Sequence, residues 1–61
     1  MKWEYKLFTI EAPTNGFEPK AEFLTTQQGA YGWELVSTEV LKNEKNLVTL
    51  LLIFKRPETE D

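Results

Sequence analysis

The segment Leu47-Val48-Thr49-Leu50-Leu51-Leu52-Ile53-Phe54 carries apolar side chains at almost every position. A β-strand sends successive side chains to opposite faces, so this segment needs cover on both sides. The chain has 61 residues, and outside this strand its pattern offers a single helix. The constraint therefore speaks first about packing and partners, and it names no reaction and no ligand.

The remaining elements follow from periodicity and breakers. Residues 2 to 11 alternate, with Trp3, Tyr5 and Leu7 on one face and Lys2, Glu4 and Lys6 on the other, which is the signature of a half-buried strand. Phe8 and Ile10 then fall on the charged face, which marks either a bulge near Leu7-Phe8 or a strand end buried on its second side. Pro13, Thr14, Asn15 and Gly16 break the pattern. Pro19 suits a first helical position with Glu18 as N-cap, predicting a helix over Pro19 to Gln28. Phe17, Ala21, Leu24 and Gln28 form its thin apolar stripe with Phe23 to the side, and Gly29 is the expected left-handed stop, with Gly32 a second point of freedom. Trp33 to Leu41 reads as the second strand, Lys42 to Asn46 as a five-residue hairpin loop, and Leu47 to Lys55 or Arg56 as the third strand, ended by Pro57. Residues 1–57 then form one domain, and residues 58–61 a disordered acidic tail.

A β-α-β unit runs its strands parallel through a right-handed crossover, and a short hairpin makes the third strand antiparallel to the second. The most apolar strand belongs in the middle, because on an open edge it would invite aggregation. The expected fold is α+β: a β-α-β-β chain with a three-stranded antiparallel sheet in order 1-3-2 and one helix on one face. Three strands of about 20 Å present a face of roughly 280 Å², while a ten-residue helix covers roughly 150 Å². One face is therefore incompletely covered, and the other is bare.

Composition narrows the means of closing that gap. A domain this small usually needs a disulfide, a metal or a partner. The chain has no Cys and no His, which removes disulfides, thiolate sites, the commonest metal ligand and the commonest neutral-pH base. Oligomerisation remains. The apolar fraction of 41% is that of a folded domain, and the net charge of −3 disfavours nucleic acid and anionic membrane surfaces. The Lys2-Trp3-Glu4-Tyr5-Lys6 alternation lacks the apolar stretch of a secretory leader, and the longest apolar run is far short of a membrane span. The expected location is the cytoplasm.

Chemistry-bearing constellations are sparse. Ten carboxylates are present, but nothing pairs Glu4 with Glu34 as acid and base, and a solvated strand face is the simpler account. Ser37 has no histidine to activate it. Glu34, between Trp33 and Leu35, suits a cross-strand ion pair with Lys6 or Lys55. Trp3, Tyr5, Phe8, Trp33 and Phe54 have the aromatic half of a single-strand nucleic-acid platform but not the basic half. Lys55-Arg56 reads instead as the charged end of an edge-protecting strand.

The stretches Trp3-Glu4-Tyr5-Lys6, Gly29-Ala30-Tyr31-Gly32-Trp33-Glu34-Leu35-Val36 and Ile53-Phe54-Lys55-Arg56-Pro57 resemble, in order and spacing over nearly the whole chain, the small bacterial and phage family known as domain of unknown function 4177. Family members often enter the helix through Asp-Pro-Glu-Glu-Leu, where this chain has Glu18-Pro19-Lys20-Ala21-Glu22, and Thr25 and Gln28 stand at positions the family often fills with apolar residues. The resemblance implies a domain that stands alone, of bacterial or phage origin, and brings no catalytic residues.

The sequence reading is thus a non-enzymatic interaction or regulatory module forming a homodimer or higher homo-oligomer, without cofactor, metal, nucleic-acid or membrane partner. The expected interface is Phe8, Ile10, Val36, Val40, Val48, Leu50, Leu52 and Phe54. The alternative is a binder of a nucleotide-like or apolar small molecule at a subunit seam, contacted by Trp3, Tyr5, Trp33 and Glu34.

Overall fold

The computed structural model describes residues 2–58. Four elements follow in chain order: β1 (Trp3–Pro13), α1 (Glu18–Ala30), β2 (Glu34–Glu44) and β3 (Leu47–Pro57). The sheet has order β1-β3-β2, and β3 pairs antiparallel with both neighbours. The fold is the small α+β arrangement expected, with the most apolar strand in the centre.

Each strand is longer than its apolar segment suggests. The expected five-residue loop contracts to a two-residue turn, Lys45-Asn46, with Glu44 opposite Leu47. Lys45 there takes a left-handed φ of 48°, uncommon for a residue other than glycine. Lys42, Asn43 and Glu44 pair with β3 despite their polarity, because an edge strand exposes its side chains to water. Pro57 lies within β3 rather than beyond it. Glu58, assigned to a disordered tail from sequence, donates its N–H to the Lys2 carbonyl at 2.9 Å; the rest of that tail lies outside the described residues.

The phase break in β1 is not a bulge. Its register with β3 runs unbroken from Trp3 opposite Pro57 to Pro13 opposite Leu47. Glu4, Lys6, Phe8, Ile10 and Ala12 therefore share one face, which grows more apolar along the strand. The register shifts lie in β2 instead, between Leu35 and Ser37 and between Val40 and Lys42.

α1 is thirteen residues long and starts one residue earlier than expected: Phe17 is the N-cap and makes no side-chain capping bond, with Glu18 in the first turn. The stripe of Phe17, Ala21, Leu24 and Gln28 turns inward while Phe23 stays exposed. Thr25, also on this side, returns its hydroxyl to the Ala21 carbonyl at 2.7 Å, which lowers the cost of a polar residue on an inward face.

The helix stop is Gly32, not Gly29. Trp33 N–H donates to the Gln28 carbonyl at 3.0 Å and Gly32 N–H to the Gly29 carbonyl at 2.9 Å, the paired bonds of a Schellman ending. Gly32 sits at φ +88°, and a Cβ there would meet nothing within 4 Å. Gly32→Ala is therefore expected to cost about 1 kcal/mol through backbone conformation alone. A urea titration should show a lower midpoint with an unchanged slope; an unmoved midpoint would reject the assignment.

The core forms where α1 crosses the sheet. Val48, Leu50, Leu52, Phe54 and Trp33 are buried, with Phe8, Ile10, Phe17 and Leu24 packed against them. Phe8 and Phe54 meet edge to face, centroids 5.8 Å apart, a favoured aromatic geometry. Eleven-residue strands give a face of roughly 500 Å², against a helix footprint of roughly 200 Å². The shortage of cover is larger than the sequence implied.

Candidate interaction surface

The alternation of β3 separates two sites. Its even-numbered residues point toward α1, and its odd-numbered residues, Leu47, Thr49, Leu51, Ile53 and Lys55, belong to the opposite, open face. The continuous β1–β3 register carries the same division into β1. Trp3, Tyr5 and Leu7 thus stand on the open face, and Glu4, Lys6, Phe8 and Ile10 on the helix side.

Most of the interface expected from sequence consequently lies on the wrong side. Val48, Leu50, Leu52 and Phe54 are core residues, and Phe8 and Ile10 pack against that core; these six are consumed within the chain. Val36 and Val40 are exposed, but they sit on the outer strand beside the bulges. The sequence specified two apolar faces without indicating which one the helix takes.

The open face is apolar along β1 and β3. Tyr5 and Leu7 are each 60% exposed and Trp3 39%, while Leu51 and Ile53 are half-buried between flanking strands. Register sets Leu7 opposite Ile53 and Thr9 opposite Leu51. The β2 side of the same face is polar: Ser37 donates to Glu39 Oε2 at 3.0 Å, and Lys42 Nζ lies 3.6 Å from Glu44 Oε1. At one end, Lys55 Nζ stands 4.3 Å from the centroid of the Trp3 ring, within cation–π range.

The helix side has a polar cluster at the corresponding end. Trp33 has two cations against its ring, with Lys6 Nζ 4.5 Å and the Arg56 guanidinium carbon 4.3 Å from the centroid. Arg56 Nε also donates to Glu4 Oε1 at 3.0 Å, and its Nη1 donates to the Tyr31 carbonyl at 3.1 Å. Lys6 Nζ donates to Gln28 Oε1 at 3.2 Å, which gives the buried Gln28 amide a partner. The cluster ties the end of α1 to β1 and β3. It is a structural clamp, with its cations committed to aromatic rings and to internal acceptors.

The ligand set proposed from sequence is divided by this geometry. Trp3, Tyr5 and Glu34 belong to the open-face end, where Tyr5, Lys55 and Glu34 form one cross-strand row, whereas Trp33 is buried on the other side. Glu4 and Glu34 lie on opposite faces and cannot share a proton. Glu34 is opposite Lys55 in register, yet the ion pairs among the described residues are Lys42–Glu44 and Arg56–Glu4. Lys55 turns to Trp3 instead. Lys55 and Arg56 lie on the central strand, so they protect no edge; each covers an indole on its own face. Sequence reasoning missed the clamp, although the shared parity of Lys6, Phe8 and Ile10 in an unbroken strand was a signal for it.

Among the described residues, no cluster of acidic, histidine or cysteine side chains is placed to hold a metal ion, and no helix is long and apolar enough to cross a membrane. The chain matches no family model, no curated protein and no solved structure.

Proposed function

We propose that this protein is a non-enzymatic interaction or regulatory module that works as a homo-oligomer, a second copy covering the open face of the sheet. The observation that carries the reading is the apolar surface made by Trp3, Tyr5, Leu7, Leu51 and Ile53 on the side away from the helix. A two-fold symmetric pair of open faces is the simplest closed arrangement. The motif resemblance drawn from Trp3-Glu4-Tyr5-Lys6 and Gly32-Trp33-Glu34-Leu35-Val36 supports a bacterial or phage origin and adds no activity.

Sedimentation equilibrium over a concentration series tests this reading. The expected mass is a multiple of 7.1 kDa that falls on dilution, and a constant single-chain mass through tens of micromolar overturns it.

A second reading rests on the end of the open face where Trp3, Tyr5, Lys55 and Glu34 meet. Two aromatic surfaces beside one charge of each sign suit a flat, polar-edged small molecule held at a subunit seam. Native mass spectrometry of protein taken directly from cells would show a retained mass, and its absence counts against this reading alone.

A further inference from the structure

The two edges of the sheet differ in what they can accept. β2 is interrupted by two register shifts, and bulges blunt an edge against further pairing. β1 is continuous over eleven residues, and among the described residues no strand pairs with its outer side.

Hydrogen bonds at the ends of the β1–β3 ladder identify the groups that line this edge. Glu58 N–H donates to the Lys2 carbonyl, and Thr14 N–H donates to the Asn46 carbonyl at 2.8 Å. Alternate residues of an antiparallel strand bond the same neighbour. The even-numbered residues of β1 therefore face β3, and Trp3, Tyr5, Leu7, Thr9, Glu11 and Pro13 direct their backbone groups outward. The far end of that row is closed, because Pro13 has no N–H and Lys20 Nζ donates to the Glu11 carbonyl at 2.8 Å. Trp3 to Thr9 is the open part.

We propose that this open part of β1 pairs antiparallel with β1 of a second copy, about a two-fold axis through Tyr5, joining two three-stranded sheets into one of six strands. Charge selects the register. An axis through Lys6 would set Lys6 against the partner's Lys6, and one through Glu4 would set two glutamates together; like charges directly opposite destabilise a pair. An axis through Leu7 would engage Glu11, whose carbonyl Lys20 occupies. The axis through Tyr5 sets Glu4 opposite the partner's Lys6 on the helix side, and Trp3 opposite the partner's Leu7 on the open face. Tyr5 meets the partner's Tyr5.

This inference rests on the reading of the chain as self-associating, and it adds a second surface to the open face. With both surfaces in use, four copies form two six-stranded sheets packed open face to open face, with the helices outward.

The absence of cysteine makes the register directly measurable. In Tyr5→Cys the two introduced residues would lie about 5.5 Å apart at Cα, within disulfide range, so mild oxidation should give a covalent dimer. Thr9→Cys, on the same edge but away from the axis, should stay single; equal cross-linking of both variants overturns the register. Tyr5→Pro removes an outward N–H without taking a donor from the β1–β3 ladder, and it should halve the mass in sedimentation where Tyr5→Ala, which loses the same open-face side chain but keeps that N–H, does not. If Tyr5→Cys fails to cross-link while Ile53→Glu, on the open face, dissociates the protein, the edge pairing is wrong and the open-face reading stands. If Tyr5→Cys cross-links and Ile53→Glu changes no mass, the edge pairing stands and the open-face reading fails.

Discussion

Phe54→Ala is expected to remove most of the stability of the fold. Phe54 is completely buried and Leu52 nearly so, and Phe54 also meets Phe8 edge to face. Phenylalanine-to-alanine changes in cores cost about 3–5 kcal/mol. A domain of this length has a total stability of only about 3–9 kcal/mol, so the variant should be largely unfolded, or melt at least ~12 °C lower. Far-ultraviolet circular dichroism during heating, at matched concentrations because self-association adds stability by mass action, provides the readout. A loss of only a few degrees would show that the helix-side core is not the centre of the structure. Leu51→Ala is the internal comparison: it lies one strand position from Leu50 and Leu52, but on the open face, so in the dissociated chain it should cost clearly less than Phe54→Ala.

The contrast between those neighbours also shows where the sequence was readable. Order β1-β3-β2 followed from two facts visible in the residues: Leu47 to Phe54 is apolar on both faces, and a short polar link joins it to the strand before. The stripe of Phe17, Ala21, Leu24 and Gln28 was legible because helical spacing is a local property. The choice of face was not, because a period of two is unchanged when the sheet is turned over. Trp3, Tyr5 and Leu7 alternate with charges and so look like the inward set, yet they face away from α1. The charged set lies on the helix side because Lys6 and Arg56 cover the Trp33 indole there and Lys6 bonds the Gln28 amide, needs that arise only once the helix end has docked. The two irregularities of β2 were hidden for a related reason: on an exposed edge strand, a shift of pairing at Val36 or Leu41 changes little in the hydrophobic pattern. Gly32 took the stop from Gly29 because both glycines satisfy the local rule, and only the onset of Trp33 in the core decides where the helix must end.

Ile53→Glu is expected to halve the mass of the assembly while leaving the chain folded. Ile53 lies on the central strand of the open face, opposite Leu7 and half-buried, so in a dissociated chain a carboxylate there can reach water. Against the open face of a second copy it would be an unpaired charge removed from solvent, among the most costly substitutions an interface can receive. Weakening by about 100-fold or more, equivalent to ~2.8 kcal/mol, is the anticipated effect on the dissociation constant, measured by sedimentation with circular dichroism confirming the fold. The outcome depends on how many surfaces operate. If open face and β1 edge both associate, Ile53→Glu leaves an edge-paired dimer and Tyr5→Pro leaves a face-paired one, and only the double variant reaches the single-chain mass of 7.1 kDa. If the open face acts alone, Ile53→Glu reaches that mass by itself. An unchanged mass in a folded Ile53→Glu protein would remove the open face from the assembly, and the apolar surface of Trp3, Tyr5 and Leu7 would then need a different occupant.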